Sequence, residues 1–360
     1  MLKENYSVIG VMSGTSLDGI DLAHITFTKR ENWCFKIHAS ETVAYPKAWF
    51  KKLQALTQNT LRELEAIDMD YTAFLSQTIK QFITKHNLVD IDAVCSHGHT
   101  ALHQPEKGLT YQIGNLEFLS DLLETTVVCD FRTQDVDFGG QGAPLVPIGD
   151  ELLFSEFDFC INLGGFANVS TRIASERIAF DICPVNIVLN KYVRTLGFNF
   201  DDAGKIAESG TLNPRLLEQL NALEFYRQPH PKSLGLEWTE AEVFSVIDKF
   251  KLPVNAVLNT VVEHIAIQIS QVITTVESPS VLMTGGGVYN SYLLSRIEAL
   301  SNLKVTIPKP EIIEFKEALI FGLLGVLRMR NEVNCLQSVT GAQRNHSSGK
   351  IYKPQNQQVC

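Results

Sequence analysis

Apolar positions along the chain alternate with polar ones in some stretches and recur at helical spacing in others. Residues 7–12 and 20–28 read as strands, the second carrying Ile20, Leu22 and Phe27 among β-branched neighbours. The polar stretch SGTSLDG between them closes a hairpin. The spacing predicts helices over 49–64 and 71–86. Residues 93–96 form a short strand followed by a polar loop, and TVVCD (126–130) is a buried strand ending in a charge. The second half opens in the same manner, with a strand at 158–163, the turn GGFAN and a strand at 169–173. Helical patterns follow at 187–196, 214–220, 239–250 and 253–275. A short apolar strand at 281–283 runs into TGGG, and a helix covers 290–300.

A strand, a glycine-rich turn and a second strand therefore occur near residue 14 and again near residue 165. An internal duplication explains this most simply, as two similar α/β domains that each begin with a hairpin. Glycine-rich turns let backbone N–H groups approach a phosphate without interference from a Cβ. Three are present: SGTSLDG (Ser13, Gly14, Thr15, Ser16, Leu17, Asp18, Gly19), GGFAN (Gly164, Gly165 to Asn168) and TGGG (Gly285, Gly286, Gly287, with Asn290 just beyond). The first has no lysine and leads into a strand, so it is not a Walker loop. The first two do not open a helix, so neither is a dinucleotide fingerprint. One such turn alone is an ordinary hairpin. Three, with two in matching positions, point to a nucleotide held in a cleft between twin domains. Asp18 then offers a carboxylate to Mg2+, through water.

Bulk properties narrow the class. A length of 360 residues suggests two domains. The net charge of −9 argues against a nucleic-acid or anionic-membrane surface. No apolar run is expected to approach the roughly 18 residues of a membrane span, and the N-terminus lacks the apolar core of a signal peptide. Seven scattered cysteines read as buried thiols in a reducing cytoplasm.

More specific segments stand in order along the chain: GVMSGTSLDGIDLA (10–23), SHGHTALHQP (96–105), YQIGN (111–115), DFRTQDVDFGGQGAPLVP (130–147), NLGGFANVS (162–170), FDICPVN (180–186), PKSLGLE (231–237), GGGVYN (285–290), KEALIFGLL (316–324) and VTGA (339–342). Over essentially the whole chain they resemble the anhydro-N-acetylmuramic acid kinases, of the actin-like ATPase and sugar-kinase superfamily. The resemblance implies two actin-like (ribonuclease H-like) domains with a nucleotide cleft between them. Residues 1–129 with about 337–360 would form domain I, and 130–336 domain II. It implies ATP and Mg2+, a cytoplasmic homodimer, and no nucleic-acid or membrane partner. The implied reaction opens 1,6-anhydro-N-acetylmuramic acid with water while ATP phosphorylates O6.

That chemistry needs a general base beside the anomeric carbon and charge neutralisation at the phosphoryl group. Asp181 is the candidate base, expected just after a strand; the competing role is a cap on the following helix. The resemblance assigns the sugar to Arg132, whose guanidinium suits a carboxylate, and to His97 and Glu317; Asn186 is a further candidate, and Gln141 is either another or part of a tight turn. For Arg132 the competing role is a structural pair with Asp130. For Glu317 it is a favourable charge at a helix start. Cys95, His97, His99 and His103 raise a zinc alternative.

The chain departs from the family pattern in three places. His99 replaces a Gln, Leu236 replaces an Arg, and Cys183 and Val185 stand where the family has glycines. These departures motivate a related kinase acting on a different sugar as one alternative. A catalytically silent nucleotide-binding sensor is another.

Overall fold

The structure, a computed structural model, describes residues 3–14 and 16–355. The chain divides into two compact units: residues up to Leu153 with those from Phe315 onward, and Phe154–Glu314. Residues 130–153 and 315–336 thus pack with the first unit.

The first unit opens as a three-stranded antiparallel meander of β1 (Asn5–Ser13), β2 (Ile20–Lys29) and β3 (Trp33–Val43). β4 (Ala93–Gln104) joins the far side of β1 in parallel, β5 (Leu109–Ile113) folds back on β4, and β6 (Val127–Cys129) lies parallel to β4. The second unit repeats this plan. β7 (Phe159–Leu163), β8 (Phe166–Ile173) and β9 (Glu176–Pro184) form a meander, and β10 (Val281–Thr284) lies parallel to β7 on its free side. A parallel bridge from Leu282 to Thr306 continues the sheet where β6 continues the first one. Finally β11 (Lys350–Tyr352) closes the first sheet against β6. The strand orders 3-2-1-4 and 9-8-7-10 match, so the α/β fold consists of two actin-like units.

Each unit has its own core. In the first, Ile9, Val11, Ile20, Leu22 and Val94 pack under Leu64, Tyr71, Leu75 and Phe82 of the Leu61–Lys85 helix. In the second, Phe159, Ile161, Leu163 and Val169 pack under the Val254–Ile273 helix. That helix corrects the expectation of no span-like run. It is long and apolar enough to cross a membrane by length and composition, with mean hydropathy 1.3. However, 78% of that apolar window is buried inside the unit, where both of its faces meet protein.

Three other expectations are corrected. The segment 49–64 is not one helix, since Lys47–Gln54 stops and a new helix starts at Leu61. Thr60 and Glu63 form a capping box there, in which each side chain accepts from the other's backbone N–H. β4 continues to Gln104 instead of becoming a loop at 97, because β5 pairs with its polar half. Asp181 lies within β9, not after a strand.

The Pro310–Met329 helix changes direction at Phe315 (φ −117°, ψ 18°). Its later part lies against β1 at Gly10. A Cβ at Gly10 would stand 1.9 Å from the Ala318 carbonyl oxygen. Gly10→Ala is therefore expected to lower stability by about 3 kcal/mol, since overpacking against backbone has no rotamer escape. Urea unfolding would measure this, and an unchanged midpoint would contradict the close approach.

Candidate active site

In the first unit the turn 14–19 links the ends of β1 and β2, where Ser13 pairs with Ile20. Leu17 adopts φ 63°, a left-handed conformation that costs a non-glycine residue about 1 kcal/mol or more. It is held by packing on the core and by Leu17 N–H donating to the Gly14 carbonyl (3.3 Å). Ser16 and Asp18 are exposed on this turn. Thr15 lies outside the described residues. Ser13 is buried, and its hydroxyl meets Tyr45 Oη, Tyr71 Oη (3.0 Å) and His99 Nδ1 (2.7 Å). A hydroxyl has one hydrogen and two lone pairs, so these three partners use its whole capacity.

Gly98, at φ 73°, decides what the two neighbouring histidines do. It turns the strand so that His97 packs against Phe321 of the Pro310–Met329 helix while His99 faces Tyr71 of the Leu61–Lys85 helix. The residues 95–103 therefore do not converge, and they form no metal cluster among the described residues. Burial holds His99 at about 4 against an ordinary 6.5. The unfolded chain binds the proton more readily, so the stability associated with neutral His99 is complete above pH 6.5 and is lost as pH falls towards 4. His99→Gln is expected to flatten that part of the stability–pH curve, as measured by the difference between the two proteins. An identical acid limb in both would contradict this.

His97 gathers the candidate sugar-binding group. Its Nδ1 meets the Gly98 carbonyl (2.8 Å), which leaves Nε2 to accept from Arg132 Nε (2.9 Å). Burial and the adjacent guanidinium push His97 far below its usual range, so the imidazole is neutral. Arg132 Nη1 donates to the Gly142 carbonyl (2.8 Å). Arg132 does not pair with Asp130, which instead accepts from Thr133 (2.5 Å) and Lys350 (2.8 Å). Glu317 follows the bend at Phe315. Solvent reaches it, yet its surroundings raise its carboxyl, desolvation leading, opposed by Arg132 and reinforced by Asp21. Gln141 is exposed, and its backbone N–H donates to the Thr340 carbonyl (2.8 Å).

Sequence reasoning missed three residues here. Asp135 is fully buried and holds the glycine turn through Gly142 N–H (2.7 Å) and the Gln337–Thr340 segment through Thr340 Oγ1 (2.8 Å). Lys316 and Asp150 form a buried ion pair at 2.7 Å beside Glu317. Asp135 stands inside the DFRTQDVDFGGQGAP segment, so its signal was present. The ion pair had none, because its partners are far apart in sequence.

In the second unit the registers bring the other two glycine turns together. Thr284 of β10 pairs with Asn162 of β7, so Gly285–Gly287 and Gly164–Gly165 leave the sheet side by side. The Gly164 and Gly165 carbonyls accept from the N–H groups of Asn186 (3.3 Å) and Val185 (2.8 Å). Asn186 Nδ2 adds a bond to the Leu163 carbonyl (3.3 Å). Asn290 Oδ1 caps the Ser291–Ser301 helix through Leu293 N–H (2.9 Å), which leaves its amide hydrogens for a ligand.

Asp181 pairs across the strands with Asn168, which is exposed. Its backbone N–H donates to the Lys232 carbonyl (2.9 Å), and its Oδ2 accepts from Leu234 N–H (2.7 Å). It does not cap the following helix, whose start has no side-chain cap. Desolvation raises its pKa, and the Leu234 bond partly offsets this. Cys183 and Val185 are buried, and neither adopts a positive φ. This chain's path simply does not use the freedom of glycine there. Leu236 is exposed at the start of a short helix.

Residues 6–354 match the family model described as anhydro-N-acetylmuramic acid kinase. A protein of that name from Pseudomonas syringae pv. tomato is 32% identical, over 97% of this chain and 99% of its own length. Another from Mannheimia succiniciproducens is also 32% identical, over 98% and 100%. Among solved structures, (R)-2-hydroxyglutaryl-CoA dehydratase component A from Acidaminococcus fermentans aligns with 90% of this chain and 99% of its own. Its identity is 13% and its TM-score 0.47, too distant to bear on activity.

Proposed function

The chain belongs to the anhydro-N-acetylmuramic acid kinase family and is a phosphotransferase acting on an alcohol group of a cell-wall sugar; from that premise we propose how its residues share the work. Water attacks the anomeric carbon of 1,6-anhydro-N-acetylmuramic acid and gives a proton to Asp181. The C1–O6 bond breaks, and O6 takes the γ-phosphoryl of ATP. N-acetylmuramic acid 6-phosphate and ADP leave. Coupling the steps removes the leaving oxygen as a phosphate ester while its old bond opens.

One observation carries this reading. Asp181 is half-buried, its Oδ2 is fixed by the 232–234 backbone, and desolvation raises its pKa. These are the properties of a positioned base, with Oδ1 as the accepting atom. Gly164, Gly165, Asn168, Gly285, Gly286, Gly287 and Asn290 serve the nucleotide from the same unit. Gly14, Ser16, Leu17, Asp18 and Gly19 are assigned to the nucleotide as well. Ser13 belongs to this group by position, although its hydroxyl is engaged by Tyr45, Tyr71 and His99. Asp18, an exposed oxygen donor on its turn, suits a hard cation and would hold Mg2+ through water. Once bound, Mg2+ neutralises phosphate charge.

His97, Arg132, Gln141, Asn186 and Glu317 serve the sugar. Arg132 is oriented by His97 and Gly142, which leaves Nη2 to meet the lactyl carboxylate. The enzyme works in the cytoplasm as a homodimer, both inferred from the family resemblance.

Incubation with ATP, Mg2+ and the anhydro sugar in 18O-labelled water tests the whole scheme. The expected product carries one label at C1 and a phosphate at O6. Label at phosphorus, or ADP release that does not depend on the sugar, would overturn it.

A further inference from the structure

We propose that Asp135, Cys335 and His346 form a binding site for a transition metal of the zinc class, which pins the 139–142 turn to the 335–346 loop. All three side chains are buried, at 0%, 2% and 6% exposure. Their donor atoms lie within 4.8 Å of one another. Carboxylate, thiol and imidazole together are the ligand types that zinc takes, and no hard cation selects a thiolate.

The backbone presents the cluster from two directions. Asp135 sits in the Thr133–Asp137 helix that follows β6. Cys335 and His346 face each other as an isolated antiparallel bridge, with paired backbone bonds of 3.1 and 3.2 Å. That bridge closes the loop 335–346. The loop touches the 139–142 turn through Gln141 N–H to the Thr340 carbonyl (2.8 Å) and reaches Phe138 through Gln343 N–H (3.0 Å).

His346 supplies the second observation. Its Nδ1 meets the Arg344 carbonyl (3.1 Å), which assigns the proton to that nitrogen. Nε2 is then an acceptor with no hydrogen-bond partner, and it faces Asp135 Oδ1 at 3.5 Å. Asp135 Oδ1 also accepts from Thr340 Oγ1 (2.8 Å), and an acceptor facing a carboxylate oxygen in a buried place is satisfied by a cation between them, a proton or a metal ion. A metal-bound histidine donates its other N–H to a carbonyl in this same way. Asp135 Oδ2 already holds Gly142 N–H (2.7 Å), the outer contact expected of a ligating carboxylate. Tetrahedral zinc spaces its donors by roughly 3.3–3.8 Å, so closing the cluster requires a contraction of about 1 Å. On binding, the Cys335 thiol gives its proton to solvent and becomes the thiolate ligand. The competing occupant is a proton, which would make an imidazolium–carboxylate pair and leave Cys335 a thiol.

Co2+ added to the purified full chain, after dialysis against a chelator, separates these outcomes. The expected result is one Co2+ per chain, with intense visible d–d bands and a thiolate-to-cobalt charge-transfer band in the near ultraviolet, both displaced by Zn2+. Cys335→Ser should lose the charge-transfer band, and His346→Gln should lose stoichiometric binding. Absence of both bands in the folded wild type, as judged by circular dichroism, overturns the proposal whatever the variants do. Unchanged bands in Cys335→Ser overturn it as well. Neither readout depends on turnover, so failure here leaves the kinase reading untouched.

Discussion

Asp181→Asn is expected to lower sugar-dependent ADP release by about 10²–10⁴-fold while ATP still binds, because an amide cannot take the proton from water. The substitution is close to isosteric. Its carbonyl oxygen can still accept from Leu234 N–H, so β9 and the 232–234 segment should keep their contact. A thermal melt within about 1 °C of wild type would confirm that the loss is chemical. The pH profile of the wild type gives a second check. The base must be ionised, so kcat/KM falls as pH drops through the Asp181 pKa, which desolvation raises. Turnover within tenfold of wild type in Asp181→Asn would remove Asp181 from the mechanism.

Lys316→Met should be the most destabilising of the single substitutions considered, by about 3–5 kcal/mol, because it strands the buried Asp150 carboxylate. Lys316 and Asp150 are 7% and 2% exposed, so water cannot replace the lost partner. The double variant Lys316→Met/Asp150→Leu should recover much of that stability, since two apolar groups leave no orphan charge. Chemical denaturation of the three proteins gives the cycle. Lys316 also precedes Glu317 just beyond the bend at Phe315, so the double variant should bind sugar less well even where stability returns. A single variant within about 1 kcal/mol of wild type would show that the pair contributes little.

Some of the candidate site was legible in the chain. Glycine turns in matching positions announced the duplication, and the DFRTQDVDFGGQGAPLVP segment carried the resemblance. The pattern of 97–104 was misleading. Its polar side chains look like a loop, yet β5 pairs with them and Gly98 sends His97 and His99 to different helices. The capping box Thr60–Glu63 restarts a helix where spacing alone suggested continuity.

By itself the sequence determined what local chemistry controls: the α/β class, the paired hairpins, and the glycine-rich turns that close them. Turn residues and alternation act over a few neighbours. Only the tertiary structure decided that Arg132 is aimed by His97 and Gly142, and that Asp181 is gripped by Leu234. It alone brought Asp135 to Cys335 and His346. Those groups lie up to about two hundred positions apart in the chain. Packing, not spacing, selects the partners that such groups find.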